Sequence, residues 1–121
     1  MPKRTKILVV EDDEATAYRR EQVLTKAGFT VTASRTMTQG LTAFQNGRFD
    51  IALIDIRLPD GNGYEMCRQL RRLAPDVPVV LISAAYPDDA ARTAATFAGG
   101  AEFVAEPVAP EALVATLRRH L

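Results

Sequence analysis

The sequence predicts an α/β fold, a doubly wound, five-stranded parallel sheet with five helices. Short, strongly apolar runs, such as ILVV at residues 7–10 and VVLIS at residues 79–83, alternate with longer segments of helical periodicity. Strands that are apolar throughout are typical of a parallel sheet covered on both faces. Right-handed crossovers between such strands place helices on each side of the sheet.

The strands and helices can be assigned in order along the chain. FTVTAS alternates and is rich in β-branched residues, as expected of a strand near a sheet edge. Glycines and prolines mark the helix boundaries, and the loop-forming run RLPDGNG covers residues 57–63. The predicted strands cover residues 7–10, 29–34, 50–55, 79–83 and 103–105. The predicted helices cover residues 14–27, 63–74, 88–98 and 110–121, and a further one runs from Thr36 or Thr38 to Asn46.

Length and composition indicate one domain over residues 1–121. Hydrophobic residues make up 47% and charged residues 25%, which is ordinary for a globular protein. Fifteen basic residues balance fifteen acidic ones, so we expect no direct binding to nucleic acid. The apolar runs are too short to cross a membrane, and no signal-peptide core follows the N-terminus. The chain has a single cysteine, Cys67, so it cannot form an internal disulfide. We expect Cys67 to be a small core residue. A chain without a disulfide also fits a cytoplasmic protein.

Acidic side chains follow several predicted strands. Ligands of open α/β sheets bind beyond the carboxyl ends of the strands, so residues at this edge are candidates for a site. They are Glu11, Asp12, Asp13, Asp55, Ser83 and Glu106. The run EDDE is equally well explained as a solvated loop before a helix. Asp55 is harder to explain in this way, because it ends the buried run ALID.

Carboxylates that converge at one edge repel each other, and their pKa values rise unless a cation compensates. Mg²⁺ would compensate, since it binds one or two carboxylates while keeping several waters. The oxygens of a phosphoryl group would complete the coordination of such a metal, so the site would also suit a phosphoryl group. An aspartate that stays ionised beside the metal can act as a nucleophile.

Four stretches, ILVVEDDE, DIALIDIRLPDGNGYE, VPVVLISAAY and FVAEPV, resemble the receiver domain of two-component response regulators. The resemblance extends over nearly the whole chain, in order. The acidic pair combined with the D-x-x-L-P-D-G-x-G loop is highly specific. The resemblance implies the flavodoxin/CheY-like fold, and it implies the following roles for individual residues.

The phosphoacceptor of the family falls on Asp55. The family's metal, Mg²⁺ or Mn²⁺, would be held by the carboxylates of Asp12 and Asp55, by the backbone carbonyl of Arg57, and by Glu11 through water. The hydroxyl and the aromatic residue of the family's switch fall on Ser83 and Phe103. Asp13 lies outside the acidic pair.

One residue departs from the family. The family's lysine, whose ammonium pairs with the phosphoryl oxygens, falls on Glu106. Losing a charged hydrogen bond weakens the phosphorylated state by about 1.5–3 kcal/mol. Glu106 can be accommodated by turning to solvent, by protonation, or by binding metal with Asp12 and Asp55. The next residue, Pro107, follows a peptide bond that is commonly cis in the family, and we expect it to be cis.

Arg57 is a candidate partner for Glu106. It lies two residues after Asp55, and its guanidinium would reach over the pocket. We therefore hypothesise an Arg57–Glu106 contact in the unmodified protein. A solvated loop arginine is the competing interpretation.

The resemblance implies a receiver domain in phosphorelay signal transduction, with Mg²⁺-assisted transfer from a histidine kinase to Asp55. It implies no enzyme beyond self-phosphorylation and dephosphorylation at Asp55. The alternative is a degenerate receiver that acts as a phosphorylation-independent interaction module. A Mg²⁺-dependent phosphatase fits worse, because no second acid lies two residues after Asp55.

The resemblance also implies partners. These are a sensor histidine kinase or a phosphotransfer protein, and a second copy of the chain. The dimer would form through the alanine-rich helix Asp88–Ala98 with the last strand and helix.

Two further residues have expected roles. Tyr86 either joins Phe103 in the switch or packs ordinarily, and His120 is expected at a frayed helix end.

Overall fold

A five-stranded parallel sheet forms the centre of the structure, a computed structural model that describes residues 4–84 and 89–121. The strands, in chain order, are β1 (Lys6–Val10), β2 (Thr30–Ser34), β3 (Ile51–Asp55), β4 (Arg57–Leu58), β5 (Gly61–Asn62), β6 (Val79–Ser83) and β7 (Glu102–Ala105). The large sheet has the order β2-β1-β3-β6-β7, and all its neighbouring strands run parallel. The predicted fold class is confirmed. The strand order reverses beside β1, so the switch point of the topology lies between β1 and β3.

The helices are α1 (Glu14–Lys26), α2 (Met37–Asn46), α3 (Gly63–Leu73), α4 (Asp89–Phe97) and α5 (Pro110–Arg119). Three of them begin at side-chain caps. Asp13, Thr36 and Asn62 accept hydrogen bonds from backbone N–H groups in the first turns of α1, α2 and α3. Asp88 and Tyr86 lie outside the described residues. Among the described residues, no helix has both the length and the apolar character needed to cross a membrane.

The core has two layers, one on each face of the sheet. One layer packs alternate strand residues against α2, α3 and α4, and the fully buried Cys67 belongs to it, as predicted. The other layer packs the remaining strand residues against α1 and α5. Residues 7–10 and 51–54 are completely buried, which is why these strands read as continuous apolar runs. Burying both faces fixes the strand ends, where the candidate residues lie.

His120 is not at a frayed end. Its Nε2 lies 2.8 Å from Oε1 of Glu102, and Arg119 donates to both carboxylate oxygens of Glu102 at 2.9 and 3.0 Å. Burial alone would raise the pKa of Glu102, but the hydrogen bonds from His120 and Arg119 hold it below its ordinary value. The end of α5 is therefore tied to β7.

The segment after Asp55 is more ordered than the predicted loop. Arg57 pairs with Asn62 and Leu58 with Gly61, so β4 and β5 form a short antiparallel ribbon. The buried side chain of Leu58 holds the ribbon against the core. Two residues then fix the ribbon to neighbouring elements, Asp60 at its tip and Gly63 at its end.

The carboxylate of Asp60 holds the start of α2. It accepts from the backbone N–H groups of Met37 at 2.7 Å and Thr38 at 2.9 Å, and from the Thr38 hydroxyl at 2.6 Å. These bonds lower the pKa of Asp60, the Thr38 hydroxyl having the largest effect. A negative charge at a helix N-terminus is favourable, so the ribbon and α2 stabilise each other.

Asp60→Ala is expected to lower the free energy of unfolding, because it leaves N–H groups of the first turn without their acceptor. Since the pKa of Asp60 is lower in the folded state, its contribution is complete above the unfolded pKa, near 3.8, and is lost as pH falls through the folded value. Urea unfolding at several pH values measures this. Asp60→Asn is the control, and it should be less destabilised and lack this pH dependence.

Gly63 is required by a close backbone approach. A Cβ atom at this position would lie 2.7 Å from the carbonyl oxygen of Asp55 and 2.9 Å from Cα of Ile56. The Gly63 N–H donates to the carbonyl of Ile56 at 2.8 Å, which closes the ribbon under Asp55. A side chain here would push the backbone of Asp55 out of place.

Gly63→Ala should therefore destabilise the protein by about 1–3 kcal/mol, because the new methyl group meets rigid backbone. Gly61→Ala is the matched control, since the closest atoms to a Cβ there are the flexible thioether end of Met37 and not backbone. Thermal unfolding of both variants compares them. Equal losses of stability would contradict the proposed close approach.

Candidate functional site

The predicted residues meet at the carboxyl edge of the sheet. Glu11 and Asp12 follow β1, Asp55 ends β3, Ser83 ends β6, and Glu106 follows β7. Backbone hydrogen bonds extend the ladder beyond the strands. The N–H of Glu106 donates to the carbonyl of Ser83 at 2.9 Å, and that of Ile56 to Ile82 at 3.1 Å.

Glu11 and Asp55 form a pair of carboxyl groups. Glu11 is only 3% exposed. Burial raises the pKa of Glu11 to about 8, and the hydrogen bond to Asp55 and its charge act in the same direction, against the effect of Arg20. The Glu11 carboxyl is therefore harder to ionise than an ordinary glutamate while it lies against Asp55. This is the behaviour expected of converging acids.

Asp12 and Asp13 differ although they are adjacent. Both are exposed. Asp13 caps α1, accepting from the backbone N–H of Thr16 at 2.9 Å and from its hydroxyl at 2.6 Å. Its carboxylate is thereby occupied, which agrees with its placement outside the acidic pair.

Asp55 is half-buried and held in place from the ribbon. The backbone N–H of Arg57 donates to its Oδ1 at 2.8 Å. The side chain of Arg57 is exposed. The carboxylate thus has one oxygen fixed by the backbone, close to Glu11.

The donor set at this edge suits a hard divalent cation, because it consists of carboxylate and carbonyl oxygens. The pKa of Glu11 is raised by burial and by the nearby Asp55. A bound cation would offset the repulsion between these two carboxyl groups. Over residues 4–84 and 89–121, however, no three aspartate, glutamate, histidine or cysteine side chains are grouped closely enough to hold a metal. A third carboxylate, such as that of Asp12, would have to turn inwards.

Ser83 and Phe103 lie on adjoining strands near the site. Ser83 is 2% exposed and Phe103 is 7% exposed. Phe103 packs inwards in the layer that includes Leu81 and Ala98. The peptide bond between Glu106 and Pro107 is cis, in agreement with the expectation from sequence.

The partner of Glu106 is Arg20 of α1, not Arg57. One terminal nitrogen of the Arg20 guanidinium donates to Oε1 of Glu106, and the other donates to Oε2 of Glu11 at 2.8 Å. Arg20 is 5% exposed. The hypothesised Arg57–Glu106 contact is wrong, because Arg57 stands on the ribbon with its side chain in solvent.

Arg20 is not predicted from the strand ends, because it comes to the acidic edge from a helix. Its sequence position carries a signal. It lies three residues after Ala17 and four before Leu24, both buried on the inner face of α1. An arginine within an apolar helical stripe requires a buried acidic partner. In the structure the charge of Glu106 is balanced by Arg20. The expectations from sequence were solvation, protonation or metal binding.

The ion pairs of Arg20 with Glu11 and Glu106 stabilise the fold. Burial lowers the pKa of Arg20, and the charges of Glu11 and Asp55 oppose that effect. Removing one partner of a buried ion pair costs about 3–5 kcal/mol, because the other charge is left unpaired. Arg20 therefore connects α1 to the ends of β1 and β7, with its charge also acting on Asp55.

Known proteins share this fold and sequence pattern. The family model described as "Response regulator receiver domain" matches residues 7–118. The transcriptional regulatory protein CseB of Streptomyces avermitilis is 36% identical over 121 residues, which are 100% of this chain and 51% of CseB. The chain thus spans about half the length of the curated relatives it matches.

Two solved structures are similar over almost their whole length. A receiver domain from Methanospirillum hungatei has a TM-score of 0.91 at 28% identity, covering 97% of this chain and 93% of that one. The BeF3-activated DrrB receiver domain has a TM-score of 0.88 at 30% identity, covering 98% and 97%. Together with the acidic edge, these matches establish the family, and the chain belongs to the receiver domains of two-component response regulators, with a role in phosphorelay signalling.

Proposed function

We propose that Asp55 is the phosphoacceptor of this receiver domain and that a histidine kinase supplies the phosphoryl group. The position of Asp55 is the main observation that supports this proposal. Asp55 ends the central strand β3, has one oxygen fixed by the N–H of Arg57 at 2.8 Å, and lies against the carboxyl of Glu11. We also propose that residues 1–121 act as one such domain.

In the proposed transfer, a carboxylate oxygen of Asp55 attacks the phosphorus of a phosphohistidine. The new P–O bond replaces the P–N bond, and the leaving imidazole nitrogen takes up a proton. The fixed Oδ1 leaves the other oxygen of Asp55 as the nucleophile. Apart from this reaction and the hydrolysis of the acyl phosphate, in which water takes the phosphoryl group and releases inorganic phosphate and the Asp55 carboxylate, we propose no enzymatic activity.

A divalent cation, Mg²⁺ or Mn²⁺, would be held by Asp12, Asp55 and the backbone carbonyl of Arg57, with Glu11 acting through water. When bound it neutralises charge on the phosphoryl oxygens. Glu11 and Asp55 would have to be ionised in the metal-bound state, since carboxylate ligands must be deprotonated. Asp12, which is exposed, is free of the α1 cap that occupies Asp13.

Ser83 and Phe103 are proposed to respond to phosphorylation. The Ser83 hydroxyl, on the strand next to Asp55, would turn to the phosphoryl group. Phe103 is buried on the adjoining strand, opposite Leu81. A shift of the Ser83 segment would therefore alter the packing around Phe103, which couples the site to the surface of α4, β7 and α5.

The proposed partners are a histidine kinase or phosphotransfer protein and, for output, a second copy that docks through α4, β7 and α5. CseB is a transcriptional regulatory protein, so we propose transcription as the process controlled. The balanced charge of the chain makes direct DNA contact by these residues unfavourable. A phosphorylation-independent interaction module is the second candidate, and Glu106 at the family's lysine position favours it.

Incubation with Mg²⁺ and acetyl phosphate should add one phosphoryl group to the wild-type protein, as measured by intact mass. Asp55→Asn should gain none, because the amide cannot act as the nucleophile. Its folding is checked by thermal unfolding. Equal incorporation in Asp55→Asn, or none in the wild type, would count against Asp55 as the phosphoacceptor.

Asp12→Asn should raise the Mg²⁺ concentration needed for half-maximal phosphorylation by about tenfold or more, because a charged metal ligand is lost. Asp13→Asn is the matched control, since asparagine also caps helices and this residue lies outside the proposed metal site. Titration of phosphate uptake with Mg²⁺, together with Mg²⁺-dependent thermal stabilisation, measures both. Equal behaviour of the two variants would remove Asp12 from the site.

A further inference from the structure

We propose that Arg20 is the cation that pairs with the phosphoryl group on Asp55, and that Glu106 holds its guanidinium while Asp55 is unmodified. This inference rests on the proposed phosphorylation of Asp55. It assigns to a helix residue the role that the family gives to a lysine at the end of the last strand.

The position of Arg20 supports this role. Its guanidinium lies between Glu11 and Glu106, the residues that follow β1 and β7, and its charge interacts with Asp55. Asp55 ends β3, which lies beside β1 in the sheet. A phosphoryl group attached to Asp55 would therefore form next to this cation.

No other basic side chain in the described ranges competes for the role. Arg20 is the only buried lysine or arginine in the part of the chain that the structure describes. Arg57, the nearest alternative in sequence, has its side chain in solvent. Among the basic residues of segments 4–84 and 89–121, Arg20 alone combines a buried position with contact to the acidic edge.

The chemistry of arginine suits an exchange of partners. A guanidinium donates several N–H groups in one plane, which match the oxygens of either a carboxylate or a phosphoryl group. A phosphorylated side chain carries about −1.5 to −2 charges at pH 7, more than the single charge of Glu106. The guanidinium should therefore move from Glu106 to the phosphoryl oxygens.

Glu106 has space to receive water once it is released. Its side chain is 24% exposed, whereas that of Glu11 is 4% exposed. Glu106 borders a cleft of about 500 Å³ that is also lined by Tyr18, Gln22 and Pro107. The released carboxylate can turn into this cleft and be hydrated. Phosphorylation would then loosen the connection between α1 and the end of β7.

Four variants separate a phosphoryl-binding role from simple neutralisation of Glu106. Glu106→Gln removes the acid and leaves Arg20 in place. Arg20→Ala with Glu106→Gln removes both charges, so no acid at position 106 is left unpaired. Arg20→Ala with Glu106→Lys restores a cation at the family's position, and Asp55→Asn reports loss of the phosphoacceptor.

The readouts are phosphate incorporation by intact mass and Mg²⁺-dependent binding of beryllofluoride by calorimetry, with thermal unfolding to check each fold. Glu106→Gln should bind beryllofluoride at least as tightly as the wild type, because the negative charge at position 106 no longer competes for Arg20. Adding Arg20→Ala to Glu106→Gln should weaken binding by about ten- to a hundredfold, the effect of losing a charged hydrogen bond. Arg20→Ala with Glu106→Lys should recover most of that loss.

The inference is overturned, and phosphorylation of Asp55 stands, if Arg20→Ala with Glu106→Gln is phosphorylated and binds beryllofluoride like Glu106→Gln alone. It is also overturned if Glu106→Lys does not recover binding in the Arg20→Ala background, since the loss then reflects the fold. If only variants carrying lysine at position 106 accept phosphate, Arg20 does not replace the lysine. If no variant accepts phosphate, the proposed phosphoacceptor role fails, and the inference fails with it.

Discussion

The ion pairs of Arg20 are the interaction on which the acidic edge depends. Glu11 lies against Asp55 where the strands end, Glu106 follows the edge strand β7, and water is largely excluded from Glu11. Without a cation, the negative charges at this edge would repel each other and the pKa values of the carboxyl groups would rise further. Arg20 supplies the charge from α1, and the hydrophobic packing of α1 on the sheet supplies its position. Electrostatics and core packing therefore stabilise the same contact between helix and sheet.

Most of the fold followed from the sequence because its elements are locally encoded. The fully buried strands appear as apolar runs, and the helices are bounded by caps, glycines and prolines. The differences arise where a side chain makes a contact outside its own element. Leu58 reaches the core and so orders a ribbon where the composition indicated only a loop. His120 and Arg119 find an acid on β7, a contact between residues 17 and 18 positions apart that no helical periodicity reveals.

The site was predictable where its residues follow strands and unpredictable where they come from a helix. Asp12, Asp55 and Glu106 are brought to one edge by topology alone, so their meeting follows from the strand assignment. The Arg20–Glu106 contact joins residues 86 positions apart, and the sequence alone favoured Arg57 as the partner of Glu106. Which of the two arginines pairs with Glu106 is decided by the direction of each side chain, inward from α1 and outward from the ribbon. That direction is a property of the packed structure.

Because Arg20 and Glu106 neutralise each other, the two positions are constrained to change together during evolution. Replacing Arg20 alone leaves Glu11 and Glu106 without their cation, at a cost of about 3–5 kcal/mol, whereas Arg20 keeps Glu11 when Glu106 is replaced. A domain whose total stability is about 5–15 kcal/mol tolerates such a step poorly. A lineage that moves between a lysine at position 106 and the present pair is therefore expected to pass through an uncharged residue there. We therefore expect the charges at positions 20 and 106 to be inherited as a pair, although one lies on α1 and the other follows β7.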